Sequence, residues 1–148
     1  MLGAQDGRGN AVGEDQNAPQ DSATLNVISG QIVDAAIEVH RVLGGPGLLE
    51  RVYEDALVLE LRERGLSVDR QVLLSITYKG HEVSAPLRLD LLVERSVIVE
   101  AKATPTYSPI YTSQALTHLR VSGLKLALVI NFGERYVKSG IHRVVNNL

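Results

Sequence analysis

Apolar side chains divide this chain into blocks of different period. Between Leu25 and Leu43 they recur at Leu25, Ile28, Ile32, Ala35, Ala36, Val39 and Val42, which is the spacing of one helix face. The stretch "GGPG" breaks that block, and "LLERVYEDALVLELRER" resumes helical spacing until Gly65 stops it. Strand-like runs follow: "RQVLLSITY", a Lys79–Gly80 turn, a short "HEVS", and then "RLDLLVERSVIVEAKA" from Arg88 to Ala103. "TPTYSP" is a loop, and "IYTSQALTHLRVS" is a third helix ended by Gly123. "LKLALVINF" is an almost continuous apolar strand of the kind covered on both faces. The last segment, "RYVKSGIHRVVNNL", reads as a turn and an edge strand. The order α-α-β-β-β-β-α-β, with one further strand, predicts an α/β domain with a central mixed β-sheet flanked by α-helices.

The Arg88–Ala103 hairpin contains a conflict. Strand side chains alternate between faces. With a tight connection at Glu94-Arg95-Ser96, Val93 pairs with Val97, Leu91 with Val99 and Leu89 with Ala101, giving one apolar face. The other face then pairs Leu92 with Ile98, Asp90 with Glu100, and Arg88 with Lys102. Two carboxylates directly opposite repel, and more strongly where the dielectric is low. A shared proton, a basic neighbour or a divalent cation relieves such a pair, and oxygen donors of this type suit magnesium or manganese. Equally, Arg88 and Lys102 neutralise the two acids if this face is solvated.

Composition narrows the class. The 148 residues suit one domain, and 45% hydrophobic with 22% charged residues describes a globular chain. There is no cysteine, which removes disulfides, thiolate metal sites and cysteine nucleophiles and fits a reducing, cytoplasmic setting. Residues 1–24 lack an apolar run and read as a disordered polar tail rather than a signal peptide, ahead of a domain spanning 25–148. No segment approaches the roughly 18 apolar residues of a membrane span. The net charge of −2 comes from the tail, where Arg8 stands against Asp6, Glu14, Asp15 and Asp21. The remainder, with 14 basic and 13 acidic residues, lacks the strong positive balance of many nucleic-acid-binding domains.

Asp90 followed by "Glu100-Ala101-Lys102" resembles the signature of the PD-(D/E)XK nuclease superfamily. The D…ExK pattern is weak alone. "GLLERVY", Gly47 to Tyr53, is similar to the motif of the GxxExxY proteins, a bacterial branch of that superfamily. "AIEVHRVLGGPGLLERVYEDAL", "QALTHLRVSGLKLALVINFG" and "GIHRVVN" resemble its helices, its later strand and its end, so that the likeness spans Leu25 to Asn147.

The resemblance implies a restriction-endonuclease-like core and metal-dependent hydrolysis of DNA or RNA. By it, Asp90 and Glu100 bind Mg2+ or Mn2+ with the Ala101 carbonyl as a further ligand, and Lys102 steers the attacking water and stabilises the transition state. Glu50 corresponds to an additional acid on the first core helix, and Gln114 to an auxiliary polar residue. On a helical wheel Glu50 lies at the flank of the apolar arc, whereas Glu60 lies nearer its middle.

His40 sits near a helix C-terminus, where a histidine favours the dipole, and it also matches a family histidine. His118 stands where relatives more often carry tyrosine, which argues against catalysis by it. Asn131 reads as a cap, and "GGPG" lacks the lysine and spacing of a P-loop. Two other classes remain open: a catalytically silent binding scaffold on the same fold, and a self-assembling homo-oligomer.

Overall fold

A computed structural model describes residue 18 and residues 20–148. The tail expected over residues 1–24 therefore falls largely outside the described residues. Where they overlap, Ser22 to Thr24 already form the first turn of α1 (Ser22–Val42), because the Asp21 side chain accepts the Thr24 N–H at 2.8 Å and caps the helix. Then come α2 (Glu50–Glu63), β1 (Val68–Leu74), β2 (Thr77–Tyr78), β3 (His81–Glu82), β4 (Leu87–Val93) and β5 (Val97–Lys102). The chain ends with α3 (Pro109–Ser122), β6 (Leu126–Asn131), a 3-10 turn (Val137–Gly140) and β7 (Ile141–Val145).

Five strands form the main sheet in the order β1-β4-β5-β6-β7. Only the β5–β6 neighbours run parallel, and α3 is the crossover between them. This is the expected mixed sheet flanked by helices, the restriction-endonuclease-like arrangement. One expected strand is split in two. Leu74 is the last fully buried anchor of "RQVLLSITY", and beyond it β2 folds back on β3 as a separate two-stranded ribbon. Its turn uses left-handed backbone at Lys79 and Gly80, with φ of 48° and 82°.

Helices α1 and α2 cover one face of the sheet with Leu25, Ile32, Ala36, Tyr53, Leu57 and Leu61. Under them lie Leu91, Val93, Val97, Val99, Ala101, Leu126, Leu128 and Ile130. Ala115, Leu119 and Val121, on α3, cover Leu92, Ile98, Ala127 and Val129 on the other face. β6 is buried along its whole length, as a strand covered on both sides must be. Leu89, expected beside Leu91, instead joins Leu74 and Leu92 on the α3 side. The reason is local: β4 loses its regular pairing at Asp90, the next residue along the strand.

Beyond the β5–β6 ladder the two strand ends are tied by one side chain. Asn131 is fully buried and exchanges two 2.9 Å hydrogen bonds with the backbone of Thr104: its Oδ1 accepts the N–H and its Nδ2 donates to the carbonyl. The same amide accepts the Gly133 N–H at 3.1 Å and donates to Glu134 at 3.1 Å. Gly133 permits this close approach, since a Cβ there would stand 2.2 Å from the Thr104 carbonyl oxygen. Asn131→Ala leaves the Thr104 groups unpaired and is expected to cost about 2–4 kcal/mol. Urea unfolding measures it, and a cost below about 1 kcal/mol would show that the clamp is dispensable.

Candidate active site

Asp90 occupies a point where β4 is unpaired on both sides. With β1 the register includes Arg70–Leu91 and Val72–Leu89 but omits Gln71–Asp90. With β5 it follows the expected Val93–Val97, Leu92–Ile98 and Leu91–Val99 pairs, then stops before Asp90. Gln71 takes φ of 53°, a left-handed conformation that is costly for a residue with a side chain. The Asp90 carboxylate substitutes for a ladder bond, its Oδ2 accepting the Ala101 N–H at 3.0 Å.

Glu100 and Lys102 project from β5 onto the α3 side. Glu100 is only 7% exposed. Its Oε2 stands 3.4 Å from Nδ1 of His118 on α3, and neither atom has a hydrogen-bond partner. The Lys102 ammonium rests 4.7 Å from the centre of the Tyr111 ring, whose own position is braced edge-on by Tyr107. These residues line a groove of about 510 Å³ that also presents Arg88, exposed Gln114 and His118.

Arg88 also lines a second groove of about 630 Å³, which holds Glu50, Glu54, Arg70 and Gln71. The predicted residues thus fall into two neighbouring depressions. Asp90, Glu100, Lys102 and Gln114 share the first, and Glu50 stands in the second. Ala101 is buried, and its N–H rather than its carbonyl makes the contact with Asp90.

The GLLERVY stretch has a mechanical explanation. Tyr53 is fully buried, stacks on Phe132 at 4.8 Å, donates its hydroxyl to the Gly45 carbonyl at 2.6 Å, and accepts the Leu48 N–H at 3.2 Å. It therefore pins the glycine loop, with Gly47 at φ of 119°, and fixes where α2 begins. Glu50 is the first residue of that helix. His40 is part of the same packing, buried with its Nε2 3.2 Å from the Phe132 carbonyl, so it is a core contact.

Electrostatics converge on Asp90. Burial, and then the charge of Glu100, push its carboxyl up to about 7, with Glu54 and Glu50 adding to the effect and the Ala101 N–H opposing it. Glu50, though exposed at its edge, is also raised, first by partial burial and then by Glu54 and Glu100, while Lys102 lowers it. Neither Arg88 nor Lys102 forms an ion pair with Asp90 or Glu100 among the described residues, so the alternative of neutralisation by flanking bases finds no ion pair here.

Glu54 was not anticipated. It is buried one turn after Glu50 and held by Arg70 at 3.0 Å and Gln71 at 3.3 Å. Its signal was present in the i, i+4 spacing from Glu50 on the flank of the apolar arc. Glu60, which the wheel placed more centrally, instead pairs with Arg64 at 2.7 Å. Tyr111 and the contact of His118 with Glu100 also come from the fold alone. No group of three His, Asp or Glu side chains stands ready to ligate a metal among the described residues.

The family model of the PD-(D/E)XK nuclease superfamily matches residues 26–144. This chain belongs to that superfamily. No curated protein and no solved structure matches it. Nucleases of the PD-(D/E)XK superfamily generally use divalent metal ions. No helix among the described residues is long and apolar enough to cross a membrane.

The raised Asp90 pKa has a consequence for stability in the absence of metal. From its ordinary 3.8 to about 7 the folded protein holds a proton that the unfolded chain has released. Stability from this group is therefore fully present below pH 4 and is lost as pH rises through 7. Asp90→Asn is expected to raise the Tm by about 3 °C or more at pH 8 and hardly at all at pH 4. Thermal melts across that range test it, and equal effects at both ends would refute the shift.

Proposed function

We propose that this protein is a metal-dependent nuclease of the GxxExxY branch, hydrolysing phosphodiester bonds in nucleic acid with Mg2+ or Mn2+. One observation carries the reading: two neighbouring carboxylates, half-buried Asp90 and buried Glu100, in a groove with a lysine that neutralises neither. The residues fit a hard divalent cation. Glu100 Oε2 is buried without a hydrogen-bond partner, and burial and then the charge of Glu100 make Asp90 give up its proton reluctantly.

Asp90 and Glu100 would hold the ion, with the Ala101 carbonyl as a further donor and Glu50 as an acid beside them. What a cation supplies when held there is polarisation of a phosphoryl oxygen and acidification of a bound water. Lys102 keeps an ammonium in the same groove and would offset the negative charge that builds on the phosphoryl group as water attacks. Tyr111 holds that ammonium by its ring face, without an acceptor that would neutralise it. Arg88, between the two grooves, can contact a backbone phosphate. Gln114 completes the polar lining from α3.

Wild type should cleave mixed DNA or RNA only with Mg2+ or Mn2+ present, and Lys102→Ala should reduce the rate about 100-fold or more with the fold unchanged. Asp90→Ala and Glu100→Ala should abolish both cleavage and metal binding. A fully active Lys102→Ala protein would sink the mechanism. Failure of wild type to bind any divalent cation would favour the scaffold reading.

A further inference from the structure

We infer that His118 is a nitrogen donor to the cation held by Glu100, and that it turns the site's preference toward manganese over magnesium. This rests on the metal-dependent reading above and goes beyond it by assigning a further donor and a metal preference.

The geometry is specific. His118 Nδ1 and Glu100 Oε2 stand 3.4 Å apart, with the two side chains 13% and 9% exposed, and each atom lacks a hydrogen-bond partner. A charge-assisted N–H···O bond closes to about 2.7–2.9 Å, so this pair is too far apart to be one. Two donors that share a metal ion, each about 2.1 Å from it, sit roughly 3 Å apart or a little more. The separation therefore matches joint ligation better than a direct bond. Leaving both atoms unpaired costs about 1–3 kcal/mol each, a cost that a shared cation removes.

Position adds to the argument. His118 lies one turn after Gln114 on α3, and its neighbours Ala115 and Leu119 are fully buried against the sheet. The helix therefore holds the imidazole in place over Glu100. Asp90 and Glu100 alone would make an all-oxygen site, which suits magnesium. An imidazole changes the donor set to one that first-row transition ions accept more readily, and manganese is the member of that series that also favours carboxylates. Ligation through Nδ1 leaves the ring proton on Nε2.

The test is calorimetric titration of the full chain with MnCl2 and separately with MgCl2, for wild type and His118→Gln. Electron spin-echo spectra of the manganese-loaded proteins are recorded beside it. Wild type should bind manganese roughly ten-fold or more tighter than magnesium and show nitrogen coupling to the ion. His118→Gln should lose that coupling and most of the preference, with magnesium affinity little changed. If His118→Gln melts early without metal, His118→Asn replaces it. Manganese bound without nitrogen coupling, and with the same preference in the variant, would make His118 only a counter-charge to Glu100; the inference then fails while the nuclease reading stands. Binding of neither ion by wild type overturns both.

Discussion

Two carboxylates on neighbouring strands, Asp90 and Glu100, are the constraint around which the rest of this structure is arranged. Three local features mark the place where they come together under α3. The β4 ladder lapses on both sides of Asp90, Gln71 opposite it adopts a left-handed backbone, and the Asp90 carboxyl holds its proton up to about 7. The surrounding sheet is apolar enough to hold the arrangement. Each fully buried aliphatic side chain contributes about 1.5–3 kcal/mol, and both faces of β5 and β6 are lined with them.

Polar and aromatic clamps then fix how the elements around that pair meet. Asn131 ties the end of β6 to the segment leaving β5, just past Lys102. Tyr53 ties the glycine loop to the core and so sets the start of α2, where Glu50 and Glu54 face the β1–β4 side of the site. Arg70 holds Glu54 in place, and Gln71 reaches the same carboxylate from the strained position opposite Asp90. A tyrosine far from any reacting atom thereby influences the electrostatics of Asp90.

Period and register made most of the fold legible, because buried strands and amphipathic helices are specified by the spacing of their own residues. That Asp90 and Glu100 lie on one side of the sheet followed from alternation, although the ladder stops short of pairing them, and Asn131 was correctly read as a cap. What stayed hidden depends on contacts between elements distant in sequence. A helical wheel ranks Glu60 above Glu50 because it ignores which neighbour covers each side; Glu60 finds only Arg64, whereas β1 supplies Arg70 and Gln71 to Glu54, one turn after Glu50. The displacement of Leu89 to the α3 side likewise follows from a broken ladder that no pattern of residue types announces. His118, set aside because relatives carry a tyrosine there, is the α3 side chain that approaches Glu100.

The balance of charges bears on whether such a site would persist without turnover. A purely structural carboxylate pair is stabilised by adjacent bases or by replacement of one acid with its amide, and either change is small. Here Lys102 leans on an aromatic ring, Arg88 lines the groove, and Glu100 Oε2 and His118 Nδ1 are left unpaired at 3.4 Å. The unpaired Glu100 and His118 atoms do not add to stability, and the two donors and the ammonium line one groove. Unrelieved local strain of this kind is expected where a site is kept for what it binds, since sequences otherwise agree with their folds at each level.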